Sequence, residues 1–349
     1  MCYSALHSRS ANNLQRNIQQ HFVTAAYLTG FTPNGMRNAN LCVYERNEGR
    51  TFPARPDKVA KRRNYYSIPL GNGAYNDSVD DMITALENQA TPVLRKLVEH
   101  DYAISSFERA LFAHLIAFQE LRTPWTRSML DQIALRTTEL TMAGAARVPG
   151  YLEHILEIAG EEKVSAKQLR DAMRNRRIVL QAEPHASLPL LVQTAPTIGN
   201  IYVQMQWAIL RTDKPLFVTS DAPVVRRDPG YKGGMWGGGL SSPTVEIWFP
   251  LSRNSVLLMR PDTSRIDHNF ELIQAGKISE AYKVRENLPP IVEIPIGDDH
   301  AKTINEQTIM NADRFVFSPF ESNEIPNMFK GPCQNMQVRF SGGPSLSDV

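Results

Sequence analysis

The chain has 349 residues, 42% hydrophobic and 21% charged, which is enough to bury a large core and reads as globular rather than disordered. A net charge of +2 gives no bulk argument for a nucleic-acid partner or an anionic membrane, so any basic site must be local. Cys2, Cys42 and Cys333 are odd in number and widely spaced, with no C-x-x-C, which argues against a disulfide framework or a cysteine zinc site.

Residues 1–20 are polar, lack the apolar core of a signal peptide and read as an exposed leader with at most a frayed helical turn. No apolar run approaches a membrane span, so a soluble cytoplasmic protein is expected. From His21 to Phe31, Tyr27, Leu28 and Phe31 share a helical face, and Gly30 with T-P-N-G closes the segment. Leu41 to Arg46 reads as a strand, and after the N-E-G turn a strand near Thr51 pairs back to it. Lys58 to Tyr66 holds four basic residues and two tyrosines. They could meet a phosphate and a base, or form a solvated loop whose tyrosines dock on the core.

Asp77 to His100 is predicted helical, with a break at Pro92. Its Glu87 is either a general base or metal ligand or an ordinary exposed glutamate. The clearest helix starts at Ser105, which with Glu108 has capping-box spacing, and ends at Thr123 before Pro124. At about 100° per residue, Leu111, Phe112, Leu115 and Ile116 fall on one side, together with Glu108, Gln119 and Arg122. A buried amide or guanidinium needs a partner, so something must meet Gln119 and Arg122 inside the fold. Helices are expected over 129–146, 151–159 and 166–174, the last followed by a basic run at 174–177. A helix kinked near Pro196 and Gly199 is expected over 188–211, after the lone His185.

The pattern then changes. Strands are expected over 215–219, 244–249, 255–259 and 314–318, with P-L-S-R-N as a hairpin turn and helices over 266–275 and 298–312. The result is an α+β fold with a largely helical middle and a small antiparallel β-sheet built from the N-terminal and C-terminal parts. A single domain over 21–320 and a loosely ordered tail over 321–349 complete the expectation.

Several of these pieces, in order, resemble an uncharacterised bacterial and fungal family known as domain of unknown function 4238. The resemblance runs through His21, Tyr27, Leu28 and Phe31, then the strand Leu41 to Arg46, then the basic segment ending in Tyr66, then the helix with Glu87. It continues with Gln119, Arg122, Thr123 and Pro124, with Arg127 beyond. Ser220, Asp221, Pro223 and Val224 follow, then Pro250, Leu251 and Ser252, and finally Ile304 and Asn305. It spans roughly residues 20 to 320. Ala222 stands where the family usually has asparagine. The resemblance implies a fold and a residue list but no reaction.

Asp221 sits where a buried strand meets a turn, a place for a ligand-facing acid or for an Asx turn. Arg122 could clamp a phosphate, or pair with Asp221 or Glu87 as scaffolding. P-loop, dinucleotide, nucleophile-elbow and zincin signatures are all absent. Two expectations follow. One is a phosphodiester hydrolase of nuclease type with His21, Glu87, Gln119, Arg122 and Asp221 as its catalytic set. Glu87 and Asp221 would orient groups or hold a divalent metal, and Arg63, Tyr66, Arg127 and Ser220 would bind a nucleotide or nucleic acid. The other is a non-catalytic binding module in which the same polar set is an internal hydrogen-bond network.

Overall fold

The computed structural model describes residues 18–70, 73–158, 160, 164–175, 185–231, 239–277 and 288–328. The expectations for residues 1–17, for the 232–238 glycine stretch, for positions 176–177 and for the tail past 328 lie outside the described residues. The described chain forms two compact units, one from the segments up to Trp125 and from Leu191 onward, the other within Thr126–Leu190.

The larger unit opens with β1 (Gln19–His21), α1 (Ala25–Thr29), β2 (Leu41–Glu45), β3 (Thr51–Ala54), β4 (Lys61–Arg63), β5 (Ile68–Pro69) and β6 (Tyr75–Asn76). β1 pairs antiparallel with β4, so the basic segment is partly a strand rather than a free loop, and Tyr65 and Tyr66 behind it are buried. Gln20 is buried as well. Its amide donates to Ser67 Oγ at 3.0 Å and its carbonyl accepts from Tyr66 N at 2.7 Å. Gln20 is thus packed into the described fold. β2 and β3 form the expected hairpin.

α2 (Ser78–Val98) runs through Pro92 without the break expected there. Burial of Val93, Leu94 and Leu97 holds the turn after the proline in place, which outweighs the lost N–H. α3 (Ser106–Leu121) starts at the expected capping box: Ser105 Oγ accepts from Glu108 N at 3.2 Å, and Glu108 Oε2 accepts from Ser105 N at 2.8 Å. α4 (Pro124–Arg147) begins on Pro124 itself, five residues before the expected start. Proline suits a first helical position, where no N–H is needed. α5 (Tyr151–Ile158) and α6 (Ala166–Arg174) follow in the smaller unit, where Ala143, Ala146, Leu152 and Met173 share a core.

α7 (Ser187–Gln204) stops well short of the expected Arg211, and β7 (Gln206–Arg211) takes over at once. The cause lies far away in sequence. Arg109 on α3 is buried and donates to Val203 O at 3.2 Å, Met205 O at 2.5 Å and Pro289 O at 2.8 Å. It thereby satisfies carbonyls at the helix end that a longer helix would have bonded internally. The same guanidinium lies 4.5 Å from the Trp207 ring centre. Gly199 lets α7 approach α3, since a Cβ there would stand 2.6 Å from His114 Cδ2.

The remaining strands are β8 (Thr219–Ser220), β9 (Val225–Arg227), β10 (Glu246–Ser252), β11 (Ser255–Arg260), β12 (Val292–Pro295) and β13 (Phe315–Ser318). The helices α8 (Thr263–Gln274) and Asp298–Asn311 accompany them. Residues 215–218 are not a strand, because side-chain and loop groups occupy their backbone. Asn305 donates to Leu216 O at 2.8 Å and accepts from Val218 N at 3.1 Å, while Phe217 N reaches Arg253 O. Pro250, Leu251 and Ser252 belong to β10, so the hairpin turn is only Arg253 and Asn254.

Two larger sheets result. One has the order β3-β2-β13-β8, joining N-terminal and C-terminal strands as expected. The other has the order β12-β7-β11-β10-β9, in which β12 runs parallel to β7. With helices α2 to α7 between the outer strands, the fold is α+β with a helical middle. Phe112 of α3 packs against Trp207 of β7 and Phe249 of β10, and Tyr27 of α1 stacks on Phe249 at 5.1 Å. These rings tie the helical layer to the second sheet. Among the described residues no helix is long and apolar enough to cross a membrane.

Candidate functional site

Helical spacing puts Gln119 and Arg122 on the apolar face of α3, and both are buried, Arg122 to 1% exposure. Their partner is Glu87 from the facing α2. Arg122 Nη1 donates to Glu87 Oε1 in an ion pair, and Nε and Nη2 both donate to Gln119 Oε1. Gln119 Nε2 donates in turn to Phe22 O at 2.8 Å, and Tyr65 OH donates to Arg122 O at 2.9 Å. Burial opposes the guanidinium charge, but Glu87 and the neighbouring Tyr66 and Tyr65 more than offset it, so the group stays protonated. The cluster joins α2, α3 and the N-terminal strand region.

His21 borders this cluster. It is half-buried, hydrogen-bonds the Asp57 backbone, and leaves Nε2 buried with no hydrogen-bond partner among the described residues. Burial, then the Lys61 ammonium, holds the imidazole below its ordinary value of 6.5. Glu87 pulls it upward and Arg122 adds to the fall. The ring is therefore neutral near pH 7, with one nitrogen lone pair unused. Tyr66 is buried and its OH donates to His21 O at 3.2 Å, so it supports the backbone of β1.

Asp221 takes no part in this cluster, contrary to the pairing with Arg122 considered from sequence. It is buried at the end of β8, where Oδ1 accepts from Asp313 N at 2.9 Å. Oδ2 accepts from Arg314 N at 2.8 Å and Phe315 N at 2.9 Å. Its carboxylate fastens the turn that leads into β13. Burial, with the Asp313 carboxylate beside it, pushes the carboxyl up to about 7, while the three N–H groups pull it down. Ser220 is buried and its Oγ accepts from Ala222 N at 3.1 Å, closing the turn after β8.

The expected metal pair fares likewise. Glu87 is engaged by Arg122, and the Asp221 oxygens are filled by backbone donors. Among the described residues no group of three or more His, Cys, Asp or Glu is arranged to hold a metal ion. Arg63 is exposed on β4, opposite Gln19. Arg127, in the smaller unit, is buried, with Nε donating to Ser187 Oγ at 3.2 Å and Nη2 lying 3.3 Å from His185 Nδ1. The sequence-derived set thus divides into one true cluster (His21, Glu87, Gln119, Arg122 and Tyr66) and residues placed elsewhere.

Sequence reasoning missed a second concavity. A groove of about 780 Å3 is lined by Arg37, Arg95, Arg211 and Arg253, by His100, and by two acids, Glu99 and Asp213. Its inner wall includes Tyr27, Thr91 and Leu94, which also line a small cavity of about 20 Å3 reaching Glu87, Gln119 and Arg122. The groove therefore backs onto the buried cluster. Arg211 is held by Glu293 and by the Leu97 and Val98 carbonyls, and Arg253 donates to Thr32 O. No hydrogen bond or ion pair among the described residues engages the side chains of Arg37 or Arg95, and both are exposed. The four arginines come from separate segments with no common motif, so no linear signal announced them.

Two consequences are measurable. Asp221→Asn leaves at least one buried N–H facing an amide donor, whichever way the side chain turns. Urea denaturation should show a loss of about 1–3 kcal/mol, and a variant as stable as the wild type would contradict the turn-fastening role. For His21, the unfolded chain binds a proton more readily than the folded one, so its contribution is present above pH 6.5 and lost as pH falls through that value. The stability of the wild type relative to His21→Gln should therefore decline between about pH 7.5 and about pH 5.5. A difference that stays constant or grows would contradict the assigned environment.

No curated protein and no solved structure matches the chain significantly. Residues 19–321 match the family described as protein of unknown function, DUF4238, and the chain belongs to that family.

Proposed function

We propose that this protein is a non-catalytic binding module whose buried polar cluster is scaffolding. The observation that carries this reading is the state of Arg122. Its guanidinium is 1% exposed and already donates to Glu87 and Gln119. A group that stabilises charge on a phosphoryl centre must present donors toward the space where that charge develops. Removing Glu87 would instead strand a charge in the interior. Asp221, bound by three backbone N–H groups, is in the same condition.

A second reading, hydrolysis of a phosphodiester, is favoured by one feature. His21 Nε2 is a buried nitrogen without a hydrogen-bond partner among the described residues, near Glu87 and Arg122, and a neutral imidazole can take a proton. In that reading His21 would be the base and a nucleotide or nucleic acid the substrate.

One assay separates the two. Bis(p-nitrophenyl) phosphate, single-stranded RNA and single-stranded DNA are offered to the wild type and to His21→Gln, with and without magnesium. The binding-module reading predicts no cleavage by either protein above the protein-free blank. Cleavage by the wild type that a folded His21→Gln variant loses by about a hundredfold or more, the usual contribution of a general base, would overturn it in favour of the hydrolase.

A further inference from the structure

We propose that the groove between α1, the end of α2 and the β10–β11 turn binds a small ligand carrying a phosphoryl group, with Arg37 and Arg95 as its primary contacts. The proposal rests on the binding-module reading and names the ligand class for it. The groove's volume, about 780 Å3, lies within the range of small-molecule sites, roughly 300–1,000 Å3. Four arginines line it against two acids, so its field favours an anion. The arginines are not equivalent. Arg211 and Arg253 are fixed by internal bonds and can hold the shape of the wall. Arg37 and Arg95 project from different segments, are exposed, and have no internal partner among the described residues, so their donors are available.

The choice of phosphoryl over carboxylate follows from donor number. One guanidinium satisfies a carboxylate through a two-pronged contact, whereas a phosphoryl group offers three oxygens and accepts from more than one fork. Two unengaged guanidinium groups on one concave surface match the larger acceptor set. Val98, partly exposed at the end of α2, is the apolar side chain of the wall that can meet the organic body of such a ligand, with the buried Tyr27, Leu94 and Leu251 behind it. Tyr27 is fixed there by its hydroxyl, 2.7 Å from Thr219 Oγ1, and by stacking on Phe249. Gly30 permits the close approach of α1 to β10 that forms the groove floor, since a Cβ there would stand 3.2 Å from Leu251 O. Tyr27 belongs to one motif-bearing segment and Leu251 to another, so the groove gathers stretches far apart in the chain.

The test uses the whole chain and inorganic pyrophosphate as the probe, titrated calorimetrically at constant ionic strength, with inorganic phosphate and acetate for comparison. The expected result is that pyrophosphate binds more tightly than phosphate and that acetate does not bind. Arg37→Ala and Arg95→Ala should each weaken pyrophosphate binding about tenfold or more, the usual effect of removing a charge-assisted hydrogen bond. Lys302→Ala, an exposed cation that does not line the groove, should leave binding unchanged. Because neither arginine side chain makes a hydrogen bond or ion pair among the described residues, both variants should keep the wild-type melting temperature. Absence of pyrophosphate binding would overturn the proposal. So would retention of binding in both arginine variants, an equal loss in Lys302→Ala, or acetate binding as tight as pyrophosphate. The cleavage assay with His21→Gln involves no groove residue, so the phosphoryl proposal and the non-catalytic reading can fail separately.

Discussion

An arginine cannot be withdrawn from water without a partner, and the placement of Arg122 follows from that constraint. Its guanidinium lies inside the larger unit, where the unpaired charge would cost several kcal/mol. Three things must therefore hold at once. α2 must present Glu87 at the right turn, Gln119 must turn its carbonyl inward, and the backbone at Phe22 must take the other end of the Gln119 amide. The N-terminal strand, α2 and α3 are thereby fixed relative to one another. A greasy triad of similar volume could supply as much stability, but it would not impose the same register on three separate segments.

The groove depends on the same arrangement. Thr91 and Leu94 lie one and two turns beyond Glu87 on α2, and both line the groove and the small cavity behind it. Fixing Glu87 by an ion pair sets the rotation of α2, and this sets which side of Thr91, Leu94 and Arg95 faces the groove. The buried cluster and the open surface are thus two faces of one helix–helix contact. This connects a polar network whose groups are paired with one another to a surface that opens to solvent.

Much of this was legible in the residues, and the failures have physical causes. The start of α3 followed from Ser105 and Glu108, and the demand for a buried partner followed from Gln119 and Arg122 on an apolar face. Choosing between Glu87 and Asp221 was beyond the sequence, because both are acids in ordered segments and only the fold sets their distance. Asp221 had two readings, a ligand-facing acid or an Asx turn with its own backbone, and its geometry is neither, since its donors come from a turn more than ninety positions away. The end of α7 was misread because the Leu188–Arg211 stretch is largely apolar, with no break near Gln204. Its conversion to β7 relies on Arg109, a side chain on another helix. Pro250 and Leu251 read as turn residues, yet β10 is buried along its whole length and keeps them in the sheet. The groove arginines gave no linear signal at all, since each is an ordinary surface residue until the chain folds.

The coupling between Glu87 and Arg122 tests the central claim most directly, through a double-mutant cycle read by urea denaturation with Glu87→Leu, Arg122→Met and the double variant. Glu87→Leu alone should cost about 3–5 kcal/mol, because it leaves a wholly buried guanidinium with only Gln119. The double variant should recover part of that loss, giving a coupling energy of about 1–3 kcal/mol. Additive effects, with a double variant as unstable as the sum of the singles, would mean that the two side chains act independently and that the buried pair does not organise the fold.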